Sequence, residues 1–135
     1  MATYSSSKVA TTVQAKAGVD IISVTGSYTI VTALVTSDII QMVKLPKGVT
    51  VQEVICSGSA SVGATAALTV GDTGNNARYI TSTSFAASAL ARTNAHTGHG
   101  YLTTADGTVD ITAGTMATGT TGTVLTLTVI YTINP

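Results

Sequence analysis

The 135-residue sequence predicts an all-β fold, an antiparallel jelly-roll-like β-sandwich with an extended N-terminal arm. Three observations carry that expectation. Apolar residues recur with a period of two over most of the chain, the spacing that sends alternate side chains to opposite faces of a strand. Thr (27 residues) and Val (15) are abundant, and their branched Cβ atoms favour a pleated surface over a helix. Turn signals fall at spacings of about ten residues, as in sandwiches and barrels rather than in parallel sheets with crossover helices.

Residues 1–18 lack sustained alternation and include Ser5, Ser6, Ser7, Lys8 and Lys16. They are expected to form the arm, with residues 19–135 as a single sandwich domain. With so little contiguous apolar surface, the arm should be mobile in solution and order only on a partner. Residues 28–36 and 38–45 read as two strands, the second stopped by Pro46, whose ring fixes φ and removes a donor. The turn Pro46-Lys47-Gly48 feeds a strand over residues 49–57. Residues 64–70 alternate again, with Ala64, Ala66, Leu68 and Val70 on one side. Gly71-Asp72-Thr73-Gly74-Asn75-Asn76 is dense in turn formers and predicts a hairpin with residues 77–83. A second hairpin is expected around Asp106-Gly107, joining residues 101–104 to 108–113. Residues 85–92, Ala-rich and about two turns long, are the one helical candidate. The final strand, residues 123–133, places Leu125, Leu127, Val129, Tyr131 and Ile133 on one face and is expected to be central. With no Trp and only six aromatics, the core must be built from Val, Ile, Leu and Ala.

Composition narrows the function. Charged residues make up 9% of the chain and cancel, six basic against six acidic; typical soluble domains carry about 25%. No basic stripe exists to release counterions from a phosphate backbone, which argues against nucleic-acid binding. Apolar content of 44% argues against disorder. No uninterrupted apolar run exceeds three residues, far short of the roughly 20 needed for a membrane-spanning helix. The N-terminus has no signal-peptide core, so synthesis in a cytoplasm is expected. Cys56, the single cysteine, reads as a small core residue beside apolar Val54 and Ile55.

Catalytic and metal chemistry find little support. Ser59-Ala60-Ser61-Val62-Gly63 has Ser where the first Gly of a nucleophile elbow belongs. His96 and His99 stand three apart in a Gly-rich loop, but no further ligand is near in sequence to complete a metal site. Asp72, Asn75 and Asn76 lack the spacing and the Glu of a calcium loop. No catalytic residue, cofactor or metal is therefore assigned. The segment 92–101 concentrates Arg92, His96, His99 and Tyr101 in a chain otherwise short of such groups, and it is expected to face a subunit or a neighbouring protein rather than a substrate.

Several runs together resemble a known family. These are Asp38-Ile39-Ile40-Gln41-Met42-Val43-Lys44-Leu45-Pro46-Lys47-Gly48, Leu68-Thr69-Val70-Gly71-Asp72 with Arg78-Tyr79-Ile80, and Asn94-Ala95-His96-Thr97-Gly98-His99-Gly100-Tyr101. Over about residues 1–133 the chain resembles the capsid decoration, or cement, proteins of tailed bacteriophages. The resemblance implies a non-enzymatic homo-oligomer, dimer or trimer, on the outer surface of the virion capsid. There it would clamp neighbouring major capsid proteins, with Lys8, Lys16, Arg92, His96, His99 and Tyr101 as candidate contacts and neither nucleic acid nor membrane as partner. The alternative is a carbohydrate- or host-surface-binding sandwich, such as a head-fibre or tail component; the small supply of aromatics for sugar stacking weighs against it.

Overall fold

The computed structural model describes residues 1–6, 21–59, 67–84, 90–114 and 121–133. Its strands are β1 (Thr3–Ser5), β2 (Ile21–Thr29), β3 (Ile39–Leu45), β4 (Val49–Gly58), β5 (Ala67–Asp72), β6 (Asn75–Ser84), β7 (Leu90–Arg92), β8 (Tyr101–Leu102), β9 (Gly107–Ala113) and β10 (Val124–Ile133). They build two sheets. Sheet A has the order β1-β3-β9-β5-β6, and sheet B the order β2-β10-β4-β7, with β8 also pairing β4. With β1 and β8 set aside, the remaining eight strands, counted along the chain, lie in the orders 2-7-4-5 and 1-8-3-6. That is the jelly-roll arrangement of two Greek keys. Among the described strands only the pairing of β1 with β3 is parallel.

Strand β10 lies between β2 and β4, the central position expected from its alternation. Leu125, Leu127, Val129 and Tyr131 are fully buried, while Val124, Thr126, Thr128, Ile130 and Thr132 line the outer face of sheet B. The core is mostly Val, Ile, Leu and Ala, with Cys56, Met42, Tyr79 and Tyr131 added to it. Cys56 is the core residue its neighbours predict, and burial pushes its thiol up to about 12. Strand β2 approaches sheet A closely at Gly26, where a Cβ would collide with the Met42 carbonyl and crowd Ser6 Oγ.

Four local expectations require correction or restriction. The strand expected over residues 28–36 instead ends at Thr29 and begins at Ile21. Residues 30–38 cross from sheet B to sheet A: Ile30 and Leu34 are buried while Val31 and Val35 are exposed, so the apparent alternation belongs to a folded connection. Ser37 takes φ of 77° there. The second expected hairpin does not form, because β8 joins β4 in sheet B and β9 joins β3 and β5 in sheet A. Asp106 instead accepts the Lys47 N–H at 2.8 Å, tying two connections together. Of the helical candidate, Leu90–Arg92 is strand β7, paired with β4; residues 85–89 lie outside the described residues. So do Ala64 and Ala66, whereas Leu68 and Val70 are buried as expected. The β5–β6 hairpin forms, its turn held by Asp72 Oδ1, which accepts the N–H groups of Gly74 and Asn75 at 2.9 Å each.

The beginning of the expected arm sits on the sandwich. Thr3, Tyr4 and Ser5 pair with Ile39, Ile40 and Gln41, and the Ser6 N–H donates to the Gln41 carbonyl at 2.8 Å. The Ser6 hydroxyl donates to the Met42 carbonyl, and the Tyr4 and Tyr28 rings lie 5.7 Å apart. Asp38, 1% exposed, accepts the N–H groups of Ala2 and Val35 at 2.9 Å each. Those two bonds, Val35 first, hold its carboxyl below the ordinary range, and the terminal ammonium adds to them. Lys8 and Lys16 lie outside the described residues.

Candidate functional site

The segment from Arg92 to Tyr101 spans the two sheets along one side of the sandwich, between the edge strand β6 and strand β4. Its backbone is held on both sides. Thr93 donates its N–H to the Val54 carbonyl at 3.0 Å, and Gly100 donates to Val51 at the same distance, both on β4. Toward β6, Asn94 and Ala95 donate to the Tyr79 carbonyl at 3.1 and 3.2 Å, Asn94 Oδ1 accepts the Thr81 N–H at 2.8 Å, and the Thr97 hydroxyl donates to the Arg78 carbonyl at 2.9 Å. Gly98 lies flat against this strand, where a Cβ would strike the Arg78 carbonyl and the Tyr79 backbone and ring. Gly98→Ala is therefore expected to destabilise the protein by about 1–3 kcal/mol through overpacking, read as a fall in Tm.

The candidate residues fall into separate environments. Arg92 forms an exposed ion pair with Glu53, Nη1 to Oε1 2.8 Å. His96 opens the 3₁₀ turn His96–Gly98, and both His96 and His99 are exposed. Among the described residues, no group of three or more His, Cys, Asp or Glu side chains stands close enough to hold a metal. Tyr101 is half-buried: the Arg78 guanidinium sits 3.9 Å over its ring, and the Tyr79 ring meets it edge-on at 6.3 Å and 72°.

Sequence reasoning missed the cluster around Tyr101. Arg78 Nε donates to Asp72 Oδ2 at 2.5 Å, so the hairpin turn and the cation over Tyr101 form one unit. The signal was present as an Asp and an Arg six residues apart across a tight turn, but only the pairing register brings them together. Hydrogen bonding to Asp72 raises the Arg78 guanidinium above its ordinary value, and burial pushes the Tyr79 phenol up. Beside this cluster opens a crevice of about 260 Å³, floored by Leu45, Tyr79 and Val109 and walled by Asp72, Arg78, Tyr101 and the Thr103–Thr108 connection. The arrangement offers hydroxyls, a neutralised ion pair and an aromatic edge, groups that suit contact with a protein surface.

No protein-family model and no curated protein matches the sequence. Solved structures do. A chain in the capsid of Ralstonia phage GP4 superposes with a TM-score of 0.84 at 18% identity, covering 99% of each chain. The chain shares its fold with chains of bacteriophage capsids. A chain of the cyanophage Pam1 capsid asymmetric unit matches with a TM-score of 0.70 at 24% identity and 92% coverage of each. One from the acidic stable capsid of the Helicobacter pylori bacteriophage KHP30 matches at 0.51 and 16%, covering 84% of this chain and 94% of that one. The first two likenesses run nearly end to end in both directions, so the shared fold spans most of each chain rather than a fragment.

Proposed function

We propose that the protein is a structural component of a bacteriophage virion. More specifically, we read it as a capsid decoration protein that binds neighbouring major capsid proteins on the outer surface of the shell and has no enzymatic activity. The observation that carries this reading is the end-to-end match to a phage capsid chain, 99% of each at a TM-score of 0.84. The physical character of the chain supports it. A surface poor in charge and rich in Thr is desolvated at low cost, and an oligomer that grips several shell subunits turns weak contacts into high avidity. The segment carrying Arg92, His96, His99 and Tyr101 is held rigidly by both sheets and projects two exposed imidazoles, so it can present a preformed contact. Lys8 and Lys16 are proposed to add contacts with acidic groups of the shell.

Co-sedimentation with capsids lacking the protein tests this reading. The wild type should bind at a copy number comparable with that of the major capsid protein, and a His96→Ala, His99→Ala double variant should bind more weakly with unchanged far-UV circular dichroism. Saturation at a few copies per particle would point instead to a tail or fibre component. Stoichiometric zinc in the wild type that disappears in the double variant would replace the contact role of the histidines with a metal site.

A further inference from the structure

We propose that the free edge of β2 is a docking site for an extended, uncharged strand of a capsid shell protein, which adds to sheet B beside β2. The identity of the partner rests on the capsid reading above; the open edge does not. The other described sheet edges are short, charged or covered. β1 has three residues, and β3 beyond it carries Lys44 and a register shift between Gln41 and Val43. β7 and β8 have three and two residues, and β7 carries Arg92. Edge strand β6 is covered by the segment after β7: Asn94 and Ala95 donate to the Tyr79 carbonyl, and Asn94 Oδ1 accepts the Thr81 N–H. Such devices keep a sheet edge from pairing with another chain. β2 has none of them. It is nine residues long, Ile-Ile-Ser-Val-Thr-Gly-Ser-Tyr-Thr, without charge or Pro, and its register with β10 runs without a shift.

The ladder fixes which main-chain groups are open. Ile30 donates its N–H to the Thr123 carbonyl at 2.9 Å, continuing the β2–β10 register by one pair. Hydrogen-bonded and non-bonded pairs alternate in an antiparallel ladder. Tyr28, Gly26, Val24 and Ile22 therefore turn their N–H and C=O groups to β10, and Ile21, Ser23, Thr25, Ser27 and Thr29 turn theirs outward. Among the described strands nothing pairs with that outward row.

The side chains add a second signal. Ile22 and Val24 are on the face of β2 that packs on the core, yet both are only half-buried. Toward the other end of β2 the sandwich is closed, by Met42 and Ser6 at Gly26 and by Tyr4 at Tyr28. The open half thus combines an unpaired ladder with a strip of half-exposed apolar side chains. An extended polypeptide supplies N–H and C=O groups at this spacing, and apolar residues at alternate positions of it would cover Ile22 and Val24. A charged strand would lose hydration with no countercharge on β2. A second copy's β2 fits less well, because the two-fold register that sets Thr25 against Thr25 of the other copy puts Gly26, with no side chain, opposite Val24.

Hydrogen exchange, measured on the free protein and on capsids re-bound with it, tests the proposal. In the free protein the amides of Ser23, Thr25 and Ser27 should exchange fast while those of Val24 and Gly26, bonded to β10, exchange slowly. On the capsid the first three should slow by at least about tenfold. Ser23→Pro removes an outward donor and spares the β10 ladder. It should keep the wild-type circular dichroism and co-sediment at least about tenfold more weakly. Exchange in the wild type decides the matter if Ser23→Pro fails to fold. Outward amides that exchange as fast on the capsid as off it overturn the proposal, as does undiminished binding by a folded Ser23→Pro variant. Slow exchange of the same amides in the free protein also overturns it and gives the edge to residues 7–20 or to a second copy. Wild-type protein that does not sediment with capsids defeats the capsid reading instead. The edge is then probed with a peptide of the length of β2, alternating Val and Thr and flanked by lysines; failure of that peptide to slow exchange at Ser23, Thr25 and Ser27 overturns the docking site itself.

Discussion

Asp110→Asn is expected to raise Tm by about 5–10 °C at pH 7.5 and to leave it nearly unchanged at pH 4, a change on the order of 3 kcal/mol at neutral pH. Asp110 stands on β9 between Gln41 of β3 and Gly71 of β5. It is 7% exposed, and its Oδ1 has no hydrogen-bond partner. Burial pushes its carboxyl up to about 6; the Thr108 hydrogen bond opposes the rise and the Asp72 charge adds to it. Arg78, the nearby cation, is engaged by Asp72. Because the folded pKa lies above the unfolded value of about 3.9, the folded chain holds this proton more tightly. The stabilisation is therefore complete below about pH 4 and is lost as pH rises through about 6. Asp38 has the opposite sign: its folded pKa is lowered, so its contribution is present above about pH 4 and is lost as pH falls further. Wild-type stability should consequently peak near pH 4–5, and the Asn variant should lose only the decline on the alkaline side. A wild-type Tm that rises steadily from pH 4 to pH 7.5 would show that Asp110 is solvated in the folded protein.

Deletion of residues 2–18 is expected to lower Tm by about 10 °C, contrary to the sequence-based expectation of an arm that orders only on a partner. The loss removes the pairing of Thr3–Ser5 with β3, both Ser6 bonds and the Tyr4–Tyr28 contact. It also leaves the buried Asp38 with one backbone donor where it had two. A half-satisfied buried carboxylate and an opened strand edge together account for about 2–4 kcal/mol. Asp38→Ala, which removes the carboxylate and both of its bonds while keeping β1, should lower Tm by about half as much. An unchanged Tm in the deletion variant would restore the mobile arm.

The strands that the sequence determined by itself are those whose pattern records a single buried face. In β10, Leu125, Leu127, Val129 and Tyr131 alternate with Thr, and a one-residue slip would turn all of them to solvent, so strand, face and central position were legible together. The Asp72–Asn75 turn was equally legible, because its side chain satisfies its own backbone and needs no distant partner. Where a strand's partner lies far along the chain, the sequence left the choice open. Asp106-Gly107 is as good a hairpin signal as any in the chain, yet β8 and β9 part to opposite sheets, β9 pairing along both β3 and β5 while β8 adds two residue pairs to β4. The Thr3–Ser5 stretch carries no apolar stripe; β3's edge, Asp38 and the Tyr28 ring make it a strand. The Tyr101–Arg78–Asp72 cluster likewise exists only through register, since it combines side chains from separate strands. Local alternation is written in consecutive residues, whereas loop-closing pairings depend on which edges the rest of the fold leaves open, and that was decided only in the tertiary structure.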